Sequence, residues 1–350
     1  MLRKDDGWVT LYLDDGETPL NPAVYFPGNS DANAKCFTQG YTFTTTNAAT
    51  GAPAPNTVCS NTTNQDRRRI FSLIDFDKTG QFVGPLAEYQ SVGKLSYGGM
   101  LLDVRKRTSH GLTLGTNYTW SHCLSSDQDT LNGNLYDSNS TYIYLNNRDR
   151  GITNCTSDRR HILNMTGVAQ MPTFQNKTLR LAASGWKLAP IYRIQSGSWM
   201  SIIAGAGIDT ARNATAAAGQ PADQLLDNIY GDTSGRPLTN WFNISGCSAV
   251  LTAAPTDASK CAFHQPTIGT LGNMKPRTAR GPKFWSFDVA LSREFRFMER
   301  QSLDFRVEAY NLTNSLRMQN PSASQNNALF GQLRTSYDPR ILQFALKYGF

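Results

Sequence analysis

Few residues of this chain have types and spacings suited to chemistry. The most conspicuous are six cysteines, Cys36, Cys59, Cys123, Cys155, Cys247 and Cys261. Thiolates bind zinc when paired as CxxC or set near histidines at ligand spacing. Neither pattern occurs, and "SHC" at 121–123 is mere adjacency. The alternative is disulfide formation, for which six cysteines allow about fifteen pairings in principle. The four histidines, His110, His122, His161 and His264, have no evident serine or carboxylate partner to make one of them a general base. Asp127, Asp129 and Gly133 match part of a calcium loop, but the glycine stands one position too late for the EF-hand pattern. Glycine-rich phosphate loops, HExxH and GxSxG are absent. No enzyme activity, metal site or cofactor is expected from this inventory.

Charge gives no stronger lead. The formal net charge is +7, and Arg67, Arg68 and Arg69 form the densest basic run. Nucleic-acid binding needs bases gathered on one element with aromatics between them. Here they are scattered, so the run reads as a solvated loop or rim and no nucleic-acid partner is expected. Sequons such as Asn139 and Asn213 follow from an Asn- and Thr-rich composition. Two others, at Asn117 and Asn164, fall inside expected strands, which argues against a eukaryotic glycoprotein.

The elements that would carry these residues are strands. Apolar residues make up only 39% and charged residues 17% of the 350 positions. Gly, Asn, Thr, Ser and aromatics fill the difference, a mix that suits many strands with polar loops. No apolar run is long enough for a transmembrane helix. The start, "MLRKDDGWVTLYLDDGETPL", lacks the apolar stretch of a signal peptide, so the chain reads either as cytosolic or as part of something longer.

Period-two segments recur. In "FWSFDVALSREFRF", Trp285, Phe287, Val289, Leu291, Phe295 and Phe297 share one face, with Arg293 as the exception. In "SLDFRVEAYNLT", Leu303, Phe305, Val307 and Ala309 oppose Asp304, Arg306, Glu308 and Tyr310. Only "MERQ" separates the two, which predicts a tight antiparallel hairpin. "YGGMLLDVRKR" and "GLTLGTNYTW" form a second pair around "RTSHG". Weaker strands are expected at 8–13, 160–171 and 185–203. In the last of these, Ser196–Gly197 suggests a bulge or bend, and Pro190 weakens the assignment.

One face of these strands is apolar and aromatic, and the other is charged. A soluble sandwich would cover the apolar face with a second sheet, whereas an outer-membrane barrel would turn it to lipid. Loop lengths favour the barrel. If the C-terminus lies at the periplasmic side, eight strands put 14–93, 122–158, 206–282 and 314–337 outside, and every short link inside. Each of the first three external loops then holds two cysteines, so the expected pairs are Cys36 with Cys59, Cys123 with Cys155 and Cys247 with Cys261. Local disulfides lower the entropy of long loops in an oxidising compartment.

The blocks "NPAVYFPGNSDAN", "DRRRIFSLIDF", "SYGGMLLDVRKRTSHGLTLGTNYTWSHCLSS", "DRGITNCTSDRRHILNMTGVAQMP", "GWKLAPIYRIQSGS" and "GTLGNMKPRTARGPKFWSFDVALSREFRFMERQSLDFRVEAYNLTN" occur in order. From about residue 21 to 350 the chain thereby resembles the Oar-like TonB-dependent outer-membrane receptors common in Acidobacteria. The resemblance implies a large barrel of about 22 strands closed by a plug, of which this chain would supply about eight. It also implies energy from TonB acting through an N-terminal region that is missing here, together with the plug and signal peptide. Met1 would then be an internal or artificial start. The implied function is import or export of a bulky substrate whose identity the sequence does not give. Asp103, Arg105, Asp288, Asp304, Arg306 and Glu308 would face the lumen. A structural or adhesive surface protein, a small closed barrel and a barrel enzyme are the other readings.

The final stretch, "LQFALKYGF", alternates Leu342, Phe344, Leu346, Tyr348 and Phe350 with Gln343, Ala345, Lys347 and Gly349. The first row is expected to face lipid, with Tyr348 and Phe350 at the periplasmic interface. A terminal aromatic strand of this kind resembles the signal recognised by the barrel-assembly machinery.

Overall fold

The alternating segments form strands, and their pairing decides which residues share a face. The computed structural model describes residues 2–5, 8–11 and 21–350, except 22, 39, 48, 62–63, 76, 78–79, 81, 84–93, 110, 127–151, 206–220, 232–239, 249–253, 268–269, 271 and 299–300. Eight strands make one antiparallel sheet. They are β1 (Leu95–Ser109), β2 (Leu112–Ser125), β3 (Thr153–Asn154), β4 (His161–Gln170), β5 (Trp186–Gln195), β6 (Phe284–Met298), β7 (Gln301–Tyr310) and β8 (Ile341–Gly349). The order across the sheet is β8-β7-β6-β5-β4-β2-β1, with short β3 added to the end of β2. Neighbours in space are thus neighbours in sequence, as in an up-and-down barrel wall. The long strands have 9 to 15 residues, enough to span a bilayer when tilted.

Register makes the faces. Leu112, Ala169, Leu188, Leu291, Val307 and Phe344 stand opposite one another across six strands. Leu102, Tyr118, Leu163, Ile194 and Trp285 form a second row. One residue out of phase, Asp103, Asn117, Asn164, Arg193 and Ser286 make a polar row on the opposite face. Asn164 donates to Asn117 at 2.9 Å, and Arg193 Nε donates to Asn164 at 3.2 Å. The polar face also carries Leu101, Ile162, Val168 and Ile191, so its alternation is imperfect. On the apolar face Tyr192 lies 6.4 Å from Trp285 and 6.5 Å from Phe287, and Trp186 packs edge-on to Phe305 at 6.3 Å. Such aromatic pairs add cohesion across strands.

Among the described residues no second layer covers the apolar face. Val104 is 57% exposed, Phe344 67% and Leu346 68%. A sandwich would bury these residues beneath a second sheet; a barrel turns them to lipid. Apart from Ala309 and Cys123, the buried apolar side chains among the described residues lie in the loops.

Several expected boundaries move. The segment at 8–13 does not join the large sheet: Trp8–Leu11 pairs with Leu2–Asp5 in a separate hairpin. The eighth strand of the sheet is β3 instead. β5 stops at Gln195 rather than near 203, because at Gly197 the backbone carbonyl of Gly281 comes so close that a Cβ would lie 1.9 Å from it. The chain turns out there, and Trp199–Met200 pairs with Ala279–Arg280. Pro190 stays within β5. The β4–β5 ladder is interrupted at that point, and Gly167, opposite, leaves room for the pyrrolidine ring. The link 172–184 contains a helix, α1 (Lys177–Ala183), started by Asn176, whose side chain accepts from the Thr178 and Leu179 amides.

That helix explains Arg293, the charge on the apolar face. Its guanidinium donates to the carbonyls of Ala182 and Arg180 at 3.1 and 3.4 Å, at the C-terminal end of α1. It also stacks over Phe295 at 4.5 Å. The unsatisfied carbonyls of a helix end attract a cation, and the aromatic ring adds a cation–π contact.

The two faces predict opposite costs. Leu291→Arg places a charge in the middle of the apolar face and is expected to destabilise the sheet by about 2–4 kcal/mol. Ser292→Arg, on the polar face, is expected to be near neutral. Urea unfolding of the chain in phospholipid vesicles measures both, and equal costs would overturn the assignment of faces.

Candidate functional site

The long connections gather at one end of the sheet. All long connections, before β1, between β2 and β4, between β5 and β6, and between β7 and β8, leave from that end. Only short links, at 110–111, 171–185 and 299–300, lie at the other.

The long connections fold into braced modules. The first, over residues 21–83, buries Phe26, Cys36, Phe43 and Cys59. Its strands Lys35–Thr38 and Tyr41–Thr44 form a hairpin. Arg68 is fully buried there. Its Nε donates to Asn64 Oδ1 at 2.8 Å, Nη1 to the Val24 carbonyl at 2.6 Å and Nη2 to the Asn61 carbonyl at 3.0 Å. Arg69, also buried, pairs with Asp66 at 2.7 Å. The basic run 67–69 is therefore not a solvated rim. Only Arg67 is exposed; the other two are struts that satisfy backbone carbonyls the loop cannot pair by itself.

The second module joins 199–283 to 311–340. Met200, Ile202, Ile229, Phe242, Phe263 and Met274 form its core, and Phe330 packs on Phe263 with ring centres 5.7 Å apart. Cross-links between the two segments include a bridge of Asn240 with Gln332 and a hydrogen bond of 2.7 Å from Asn320 to Ser198. Arg277, in a left-handed conformation (φ 52°), fixes this module to β2 and β3: Nε donates to the Asn154 carbonyl and Nη2 to the Ser125 carbonyl at 2.9 Å.

The disulfides are Cys36–Cys59, Cys123–Cys155 and Cys247–Cys261, the local pairing expected. One detail differs. Cys123 lies in a strand, because β2 continues to Ser125 beyond its alternating part; Cys36 too lies in a short strand of its loop. The β1–β2 hairpin stays paired up to Leu95 and Ser125, so the first loop after it starts at 126.

The six charges singled out in the sequence all lie on the polar face, but they do not gather into one site. Asp103 and Arg105 pair with each other at 2.7 Å on β1. Arg306 and Glu308 pair on β7. Asp288 accepts the Asn311 amide at 2.7 Å and so fixes the turn after β7. Asp304 stands between Glu294 and Lys347. Four of the six are thus paired within their own strand. Leu342, Phe344, Leu346 and Tyr348 line the apolar face of β8, and Phe350 lies past its end, stacked on Tyr348.

Among the histidines, His161 Nδ1 lies 2.7 Å from Tyr118 Oη and His122 Nε2 lies 3.1 Å from Asn154 Oδ1. Asp127, Asp129, Gly133, Asn139, Asn213 and His110 lie outside the described residues. Sequence reasoning missed Asp158. It is buried, and its two carboxylate oxygens accept from the Cys123 amide at 3.0 Å and from Trp199 Nε1 at 2.9 Å. Its place in "TSDRRH", next to two arginines at the mouth of a strand, was the only available signal.

With one uncovered apolar face, one polar face and all large loops at one end, the sheet has the organisation of a barrel wall. A family model described as outer membrane beta barrel domain matches residues 36–343, from the first loop module into β8. The chain belongs to this family. No curated protein and no solved structure matches it. The protein is an outer-membrane β-barrel protein, and its apolar face is the one such barrels present to lipid.

Replacing Cys247 and Cys261 together with alanine is expected to loosen the second module by about 2–4 kcal/mol, the usual worth of a disulfide, and to leave the sheet intact. Limited proteolysis should then cut within 248–260 while the strands stay protected. Unchanged cleavage would mean that the aromatic core alone holds the loop.

Proposed function

We propose that this chain forms the C-terminal part of the barrel of a TonB-dependent outer-membrane receptor. The observation that carries the proposal is the open sheet. β1 and β8 are its edges and, among the described residues, neither pairs with a further strand. A self-contained eight-stranded barrel would join them. Open edges are templates for aggregation, so strands from elsewhere in a longer protein complete the wall. The large loop modules suit a wide barrel, and the resemblance of the quoted blocks to Oar-like receptors supplies the rest.

On this reading the long loops are extracellular and the polar face lines the lumen or touches the plug. TonB acts through the N-terminal region and drives passage of a bulky substrate. The partners are the outer-membrane bilayer, the plug, TonB and the barrel-assembly machinery, which reads the row Leu342, Phe344, Leu346, Tyr348 and Phe350. The role is transport rather than catalysis. The disulfide-braced, separately cored loop modules favour one other reading, a structural or adhesive surface protein.

Genomic DNA upstream of Met1 tests the first reading. An in-frame plug and signal peptide are expected. A promoter preceded by a stop codon would refute it, as would a 350-residue chain that by itself gives a compact, heat-modifiable barrel in gel electrophoresis. If protease on intact cells fails to reach 196–283 and 311–340, neither the extracellular loops nor a surface adhesin survives.

A further inference from the structure

Where β4 and β6 meet the loops, positive charge collects in excess, with the single carboxylate of Asp158 acting on Arg159 and Arg280. Arg159 and Arg160 precede β4, Arg280 precedes β6, and Arg317 follows β7. Arg280 stacks on Trp199 with its Cζ 4.1 Å from the ring centre, and Trp199 is the side chain that donates to Asp158. Arg317 lies over Phe284 at 5.3 Å, and Phe284 contacts Tyr337 edge-on at 4.9 Å. Phe284 is opposite Gln195, and Gln195 opposite Ile162, which places the group above the polar face.

The local carboxylate is already committed. Both oxygens of Asp158 accept from Cys123 and Trp199, and no ion pair joins a carboxylate to any of the four arginines among the described residues. The guanidinium nitrogens are only partly used. Arg159 Nη1 donates to the Thr156 and Asp158 carbonyls, both at 3.0 Å, and Arg317 Nη2 to the Asp338 carbonyl at 2.8 Å. The Nε atoms of Arg160, Arg280 and Arg317 are buried and, among the described residues, have no hydrogen-bond partner. Burial lowers the pKa of Arg280, and the charges of Arg160 and Arg159 add to this while Tyr230 and Asp158 oppose it; burial also lowers that of Arg159, against Tyr337 and Asp158. Buried donors without acceptors are costly, and so are like charges brought together. An oxyanion at the terminal nitrogens offsets the second cost, since guanidinium forks match carboxylate and phosphate oxygens.

We propose that Arg160, Arg280 and Arg317, with Arg159 beside them, form a binding site for an anionic group, a phosphate or carboxylate carried by a larger molecule that enters at the loop end. The site itself stands on local geometry. That its ligand is a transported solute rests on the function proposed above, whereas a lipid phosphate from the outer leaflet would use the same chemistry.

Arginine modification by phenylglyoxal, mapped by mass spectrometry on the whole chain in neutral phosphatidylcholine vesicles, tests this apart from any transport. Inorganic phosphate, at an ionic strength fixed with chloride, should protect Arg160, Arg280 and Arg317 while exposed Arg180 and Arg334 react at unchanged rates. Arg160→Gln should require at least about tenfold more phosphate for the same protection, the value of one charge-assisted hydrogen bond. Should this variant fail to fold, the protection pattern of the native chain decides alone. Protection by glucuronate as well points to a soluble acidic substrate. Protection by lipid A in the vesicles, without soluble anion, points to the leaflet. Equal protection by chloride, or equal protection of all arginines, would sink the proposal.

Discussion

The whole molecule depends on strand register. Side chains alternate across a strand with a period of two, so a slip of one residue would send Leu291, Val307 and Phe344 to the polar face and Ser292, Arg306 and Ala345 to the lipid. In the observed pairing these three residues stay together across β6, β7 and β8. Among the described residues no second layer of protein enforces that choice. The bilayer does, because it accepts apolar side chains and rejects charges, and the ladder satisfies the backbone groups that hydrocarbon cannot.

A wall of this kind has no core, and the loops are therefore cored separately. Phe26 and Phe43 in one module, and Phe242, Phe263 and Phe330 in the other, do in water what lipid does for the strands. Each module is small for its length of chain, and two of the three disulfides fall inside them. The third, Cys123–Cys155, ties the segment before β4 back to β2, next to Asp158. Arg68 and Arg277 complete the bracing from within. Buried arginines are costly unless their donors are met, and here backbone carbonyls meet them, of loop residues for Arg68 and of the ends of β2 and β3 for Arg277.

This division also explains what the sequence could disclose. The strands were legible because their rule is local: Trp285, Phe287, Val289 and Leu291 announce a face without reference to anything else. The cysteine pairs were legible once the strands had sorted the loops. Arg68 was misread as solvated because its partners, the carbonyls of Val24 and Asn61, carry no side-chain signature. Arg277 contacts carbonyls more than a hundred positions away. Gly197 looked like a bulge, whereas its role is to admit the Gly281 carbonyl. The helix α1 was missed because about two turns, capped by Asn176, are too short to show a period.

The charges of the protein fall into two kinds that a count of residues would merge. On the polar face Asp103 meets Arg105 and Arg306 meets Glu308, so the wall is nearly neutral at short range and presents no strong field to a passing solute. At the root of the loops Arg280 and Arg317 lie over aromatic rings, Arg160 stands near Arg280, and the one acid among them, Asp158, accepts from an amide and an indole. Potential therefore concentrates where the wall opens, in a region of low dielectric that strengthens it. On the proposed transport reading, a bulky anion meets selection at the mouth, and the wall below lets it move on.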